Sequence, residues 1–231
     1  NLINDLYDTK KGADKFNRIG PDRMVQKGFI NEDEIKIAIL LSLISSIVIG
    51  LYLVFIGGLP ILIIGVSSFL FAYLYTATPF AIAYNGLGEI FVFIYFGLIA
   101  SMGTFYLQTG FWNRETALIG CIMGLLNSSM LIVNNLRDIE NDRKSNKKTL
   151  IVLLGETFGK IELCMAVVFP YLVLFHLLRL GGATISYALL FMFALKILYN
   201  SVCNYKFLRE KALPYLSIHI IAFSSLLILW I

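Results

Sequence analysis

The sequence predicts an all-α fold, a polytopic transmembrane helix bundle, and three observations carry that expectation. Of 231 residues, 58% are hydrophobic and 15% charged, and mean hydropathy is +0.78, too apolar for a soluble domain of this size. The apolar runs reach the roughly 20 residues that cross about 30 Å of hydrocarbon. They are continuous rather than alternating, so helices, not strands of a closed barrel, satisfy their backbone groups in lipid.

The chain opens on a polar stretch, NLINDLYDTKKGADKFNRIGPDR, which sets Asp5, Asp8, Asp14 and Asp22 among lysines and arginines. After it come seven complete spans, expected at 36–56, 59–80, 87–109, 115–136, 161–178, 183–199 and 213–231. Gly57-Gly58 before Pro60, Asn85-Gly86 and Gly181-Gly182 punctuate them, because glycine and proline interrupt helical runs. Residues 1–231 therefore read as a single transmembrane domain with no soluble module. The chain has no initiator Met and no span ahead of its polar opening, so it is expected to be N-terminally truncated.

Charge placement orients the bundle, since Lys and Arg are retained in cytoplasmic loops. Through seven spans, 16 of the 19 Lys and Arg fall on one face; Arg114 and Arg179 lie on the other and Lys196 inside a span. The charged face is expected to be cytoplasmic. The excess of four positive charges thus belongs to one membrane surface, and a nucleic-acid partner is not expected. Cys121, Cys164 and Cys203 are scattered and read as small packing residues. His176 and His219 lack metal-ligand spacing and read as structural.

The polar opening has an echo. NDLYD at residues 4–8 aligns with NNLRD at 134–138, and both are Asn-x-x-x-Asp. Positions four apart share one helix face about 6 Å apart, which pairs Asn4 with Asp8 and Asn134 with Asp138. Asp142 extends the second stripe by a turn. The first cluster also allows Asn1 with Asp5, but the echo selects Asn4 and Asp8, and Asp14 is expected to approach from the following loop. Four spans separate the clusters, an even number, so both belong to the same membrane face.

Carboxylate and amide oxygens are hard ligands that suit Mg²⁺, which commonly takes one or two carboxylates together with substrate phosphate oxygens. Lys15, Arg18, Arg23 and Lys27 follow the first stripe, and Arg137, Arg143 and Lys147 accompany the second. Such bases bind phosphate oxygens. Acids that hold a metal beside bases that hold phosphate describe a diphosphate site.

These residues resemble the UbiA-type intramembrane prenyltransferases, and most closely the branch of bacterial 1,4-dihydroxy-2-naphthoate polyprenyltransferases of menaquinone synthesis. The resemblance covers residues 1 to about 160. It rests on NDLYDTKKGADKFNRIGPDRMVQKGFI, YTATPFAIAYNGLGEIFVFIYFGLIASMGT and NNLRDIENDRKSNKKTLIVLLGE. SNKKTL departs from the branch, which usually has Gly where Asn146 stands; Asn tolerates positive φ better than most residues.

The resemblance implies nine helices in the full protein and an active site on the cytoplasmic side of a bacterial cytoplasmic (inner) membrane. It implies transfer of a polyprenyl group from an allylic diphosphate to 1,4-dihydroxy-2-naphthoate, with decarboxylation, giving demethylmenaquinone. Asp8, Asp138 and Asp142 would be the catalytic acids, and Asn4, Asp8, Asp14, Asn134, Asp138 and Asp142 the Mg²⁺ ligands. Lys15, Arg18, Arg23, Arg137 and Lys147 would bind diphosphate. Tyr75, Tyr84, Asn85 and Glu89, with Pro79 in the same segment, would face the substrate pocket.

Polyprenyl diphosphate, the naphthoate and membrane lipids are the implied partners. Another aromatic acceptor, such as 4-hydroxybenzoate, is the alternative within this class. A membrane transporter is the alternative outside it, and would spread its carboxylates through the membrane depth.

Overall fold

The computed structural model describes residues 1–11, 24–77, 81–177 and 184–230, and among them every regular element is helical. The first is α1, Leu2–Lys10. Asn31 caps the long α2, Glu32–Leu74, by accepting from the Asp33 and Glu34 amides, while Glu34 reaches back to the Asn31 amide. Glu32, Asp33 and Glu34 fill its first turn, where the helix dipole favours negative charge.

As one straight rod, the 43 residues of α2 would be about 65 Å long. Instead both of its ends meet α1. Lys10 pairs with Glu32 at 2.6 Å, and Tyr7 lies edge-on to Tyr73 with ring centroids 6.2 Å apart. The chain therefore reverses within α2, at Gly58, whose φ of 65° and ψ of −150° are not helical. The glycine escapes the Cβ clash of positive φ, and Pro60 follows two residues later. The two expected spans on either side of Gly57-Gly58 are the arms of this hairpin. The second arm ends at Leu74 rather than residue 80.

A short 3₁₀ turn, Ile82–Tyr84, leads into α3, Gly88–Thr109, which carries a π-helical segment at Ile94–Ile99. Next come α4, Arg114–Lys144; α5, Leu150–Leu154; α6, Glu156–Leu177; α7, Thr184–Cys203; α8, Tyr205–Glu210; and α9, Ala212–Trp230. By length and composition α2, α3, α4, α6, α7 and α9 can cross a membrane. Among the described residues six helices are thus long and apolar enough to cross a membrane, against seven spans expected, because two of the expected spans lie in the one kinked helix α2.

Two compact units make up the chain. The first comprises Asn1–Gly88, Gly103–Trp112 and Asp138–Leu153, with Leu6, Ile35, Ala81, Ile82 and Ile151 among its buried side chains. The α2 hydroxyls of Ser42, Ser45 and Ser46 bond carbonyls one turn back, so no free donor is carried into lipid.

The second unit comprises Glu89–Met102, Asn113–Arg137 and Leu154–Ile231. Its core joins Ile122 and Leu126 of α4, Leu174 of α6, Tyr187 and Leu190 of α7, and Phe223 and Leu227 of α9. His219 is fully buried there and shares a hydrogen bond with the Tyr171 hydroxyl at 2.6 Å, a packing role. At the α3–α4 crossing Gly97 meets Gly120 and Gly124, and the Asn127 amide donates to the Phe96 carbonyl inside the π segment at 3.2 Å. All three cysteines are free thiols. Cys164 and Cys203 are exposed, so the packing role expected for them does not hold; their helix faces point outward.

Candidate active site

On α1, helical spacing puts Asn4 and Asp8 one turn apart on a common face. Each meets a hydroxyl from the segment after α2. The Thr76 hydroxyl donates to Asn4 Oδ1 at 2.9 Å, and the Tyr84 hydroxyl donates to Asp8 Oδ1 at 2.9 Å. Asp8 is buried. Asp5 is buried too, but on other business: its Oδ2 accepts from the Met24 amide at 3.0 Å. Asp14, Lys15, Arg18, Arg23 and Pro79 lie outside the described residues.

The second stripe stands on α4, which continues through residue 144 instead of stopping with the apolar run at 136. Asp142 is buried; its Oδ1 lies 3.5 Å from Lys147 Nζ, and its Oδ2 is sequestered and meets no hydrogen-bond partner among the described residues. Asp138 and Asp8 are both within electrostatic reach of Asp142. Lys147 is delivered by a turn in which Asn146 takes φ 56°, among the described residues the one positive φ outside glycine. The Lys147 amide closes the turn on the Asp142 carbonyl at 2.9 Å. Asn therefore fills the conformation that Gly would have supplied.

Tyr84 ties the two motifs together. Its hydroxyl reaches Asp8, its carbonyl accepts from the Lys148 amide at 3.1 Å, and Lys147 Nζ stands 5.9 Å from its ring centroid. The first unit thus brings together Asn4, Asp8, Tyr84, Asp138, Asp142 and Lys147. Asn134, half-buried, and Arg137, buried, lie in the other unit.

The remaining residues expected at the pocket divide by what they touch. Tyr75 is half-buried, and its carbonyl accepts from the Ala83 amide at 3.0 Å. Asn85 is exposed and spends its side-chain amide on the Ala81 carbonyl at 2.8 Å, a local turn bond. Glu89, in the second unit, is 5% exposed and accepts from the Asn135 side-chain amide at 2.6 Å, while its carbonyl accepts from the Ser128 hydroxyl at 3.2 Å. The sequence reading passed over Asn135, although a residue one step from Asn134 necessarily turns about 100° away to a different neighbour. It also passed over Thr76 and Lys11, whose partners no local pattern shows.

Among the described residues, no three His, Cys, Asp or Glu side chains gather closely enough to hold a metal between them. The chemistry of the site acids does fit Mg²⁺ in its usual manner, one or two carboxylates completed by water and phosphate oxygens. Asp142 Oδ2, like Asp5 Oδ1 and Glu162 Oε2 a buried acceptor without a partner among the described residues, is an atom in this cluster that such a cation would satisfy.

Residues 1–223 match the UbiA prenyltransferase family. The chain is similar to the 1,4-dihydroxy-2-naphthoate octaprenyltransferase of Escherichia coli (strain K12), with 36% identity over 209 residues, 87% of this chain and 63% of that protein. The protein of the same name from Haemophilus influenzae is 39% identical over 171 residues, 71% of this chain and 56% of that one. The one from Bacillus subtilis (strain 168) is 30% identical over 184 residues, 80% and 59%. The chain thus spans 56–63% of the length of these relatives. No solved structure matches.

Proposed function

Since the chain belongs to the UbiA prenyltransferase family, we propose that it works in a bacterial cytoplasmic membrane, moving a polyprenyl group from an allylic diphosphate to 1,4-dihydroxy-2-naphthoate. Diphosphate and carbon dioxide leave, and the product is demethylmenaquinol, the reduced form of demethylmenaquinone. The observation that carries this reading is the convergence of Asp8, Asp138 and Asp142, from two helices, beside Lys147. The names of the similar proteins supply the acceptor.

Asp8, Asp138 and Asp142, with Asp14 and the amide oxygens of Asn4 and Asn134, would share the Mg²⁺ ions between them, one or two carboxylates to an ion and the rest of each shell left to water and phosphate oxygens. Bound there, the metal would neutralise charge on the departing diphosphate. Lys147, already paired with Asp142, is placed to donate to a phosphate oxygen, and Arg137, Lys15, Arg18 and Arg23 are its proposed companions. Tyr84 holds Asp8 in one orientation through its hydroxyl, so the carboxylate need not be ordered when the diphosphate arrives. Stabilising charge that develops as the carbon–oxygen bond breaks is a preorganised electrostatic effect worth about 3 kcal/mol per well-placed group.

Glu89 and Tyr75 are proposed to line the acceptor side, where the ring carbon bearing the carboxylate attacks the allylic carbon. Asn85 is proposed to shape the turn over that side. The excess of Lys and Arg in the loops on one side supports a cytoplasmic face for this chemistry.

The test is purified protein in detergent, offered radiolabelled polyprenyl diphosphate with dihydroxynaphthoate or 4-hydroxybenzoate. Label is expected in a decarboxylated naphthoquinol. Product from 4-hydroxybenzoate alone would reassign the acceptor.

A further inference from the structure

Lys10 and Lys11 are neighbours in sequence with different fates. Lys10 is exposed and pairs with Glu32 at 2.6 Å. Lys11 is half-buried and turns the other way. Its ammonium donates to the Thr76 carbonyl at 2.6 Å and stands 4.3 Å from the centroid of the Tyr84 ring. Those two residues are the ones whose hydroxyls reach Asn4 Oδ1 and Asp8 Oδ1. One cation therefore touches both residues whose hydroxyls donate to Asn4 and Asp8.

The helix explains why Lys11 can do this. Positions 4, 8 and 11 follow the four-then-three spacing of one helix face, and Lys11 keeps helical φ and ψ as the C-cap of α1. The element that carries Asn4 and Asp8 thus also carries the side chain that grips their partners. Burial pushes the Lys11 ammonium below the usual lysine range, and the charge of Asp8 acts the other way. A partly desolvated ammonium over an aromatic face is held more firmly than one in water.

We infer that Lys11 is a positioning residue: it clamps Thr76 and Tyr84 against α1, so that their hydroxyls fix the side-chain oxygens of Asn4 and Asp8. The inference deepens the proposed function, and its metal readout rests on that reading.

The test compares wild type with Lys11→Met, which keeps the chain length and loses the charge, and with Lys11→Arg, which restores it. Lys11→Gln is the second neutral variant should Lys11→Met fail to fold, with exchange of the α9 amides as the check on the fold. Hydrogen exchange is followed by mass spectrometry at the amides of Ala83, Asn85 and Lys148, which bond within or onto the Tyr84 segment. Exchange there is expected to be about tenfold faster in the neutral variants and restored in Lys11→Arg.

Manganese titration of the same proteins is expected to show binding weakened by about tenfold in the neutral variants. Removing a positive charge beside Asp8 would by itself tighten binding of a cation, so weakening is the signature of lost positioning. Unchanged exchange, or tighter manganese binding, would overturn the inference. Wild-type protein that binds no manganese would sink the metal reading alone, and exchange would still decide the role of Lys11.

Discussion

The Tyr84 hydroxyl donates to Asp8 Oδ1 at 2.9 Å across 76 residues of chain. A hydrogen bond to a charged group contributes roughly 1.5–3 kcal/mol. Tyr84→Phe removes it and keeps the ring beneath Lys11, so prenyl transfer is expected to fall about tenfold, with a loss of roughly 3–10 °C in melting temperature. Steady-state kinetics beside a thermal scan checks this; activity at the wild-type level would make the bond incidental.

Asp8→Ala, Asp138→Ala and Asp142→Asn are each expected to lower kcat by about a hundredfold or more while the protein stays folded in detergent. Treatment with EDTA is expected to abolish turnover, and added Mg²⁺ to restore it. Full activity in any one variant would remove that carboxylate from the site. Activity that survives EDTA would exclude the metal.

Glu89 keeps a buried carboxylate against the Asn135 amide at 2.6 Å. Asn135→Leu takes away that donor and leaves the buried carboxylate without it, with the Glu162 carboxyl also within electrostatic reach, at a cost of roughly 1–3 kcal/mol or more. A lower midpoint in SDS unfolding is expected, relieved in the double variant with Glu89→Leu because the stranded charge is then gone. Equal midpoints for the single and double variants would mean that the two side chains are not coupled.

At Asn146 the backbone sits at φ 56°. Asn146→Gly is expected to leave stability unchanged or slightly raised, since glycine adopts that φ freely. Asn146→Val puts a β-branched side chain there, which costs about 1–2 kcal/mol, and is expected to displace Lys147 from Asp142. A rise in KM for the diphosphate, larger in Asn146→Val than in Asn146→Gly, is the measurement.

A Cβ added to Gly97 would stand 2.4 Å from Gly124 Cα and 2.5 Å from the Gly120 carbonyl oxygen. Those are backbone atoms of a neighbouring helix, so the crossing itself must open. Gly97→Ala is expected to destabilise the second unit by about 1–3 kcal/mol. Gly50→Ala, with nothing within 4 Å of the new Cβ, is expected to be neutral or stabilising by up to about 1 kcal/mol. SDS unfolding of the pair separates a packing effect from helix propensity.

Much of the fold is legible from local pattern, because a span is a property of consecutive residues. Gly57-Gly58 before Pro60 marks the reversal of α2 to within a residue, and the four-residue stripe through Asp138 and Asp142 fits the continuation of α4. Asn146 is legible for the same reason: φ is a local variable.

The partners of the site residues are less legible. Lys11 meets Thr76 across 65 residues, Thr76 meets Asn4 across 72 and Asn135 meets Glu89 across 46. No periodicity encodes such pairs; they exist only after the helices pack. Asn85 shows the converse, a polar side chain in a functional segment that a turn claims for itself.

The reversal at Gly58 also decides sidedness. Were α2 to run through as a single crossing, every later helix would thread the bilayer in the opposite sense. The acids at the end of α4 would then emerge across the membrane from those of α1, and the two stripes could not share one site. Lysines and arginines are usually credited with telling inside from outside. Here the parity of the count on which that address depends turns on one glycine at positive φ.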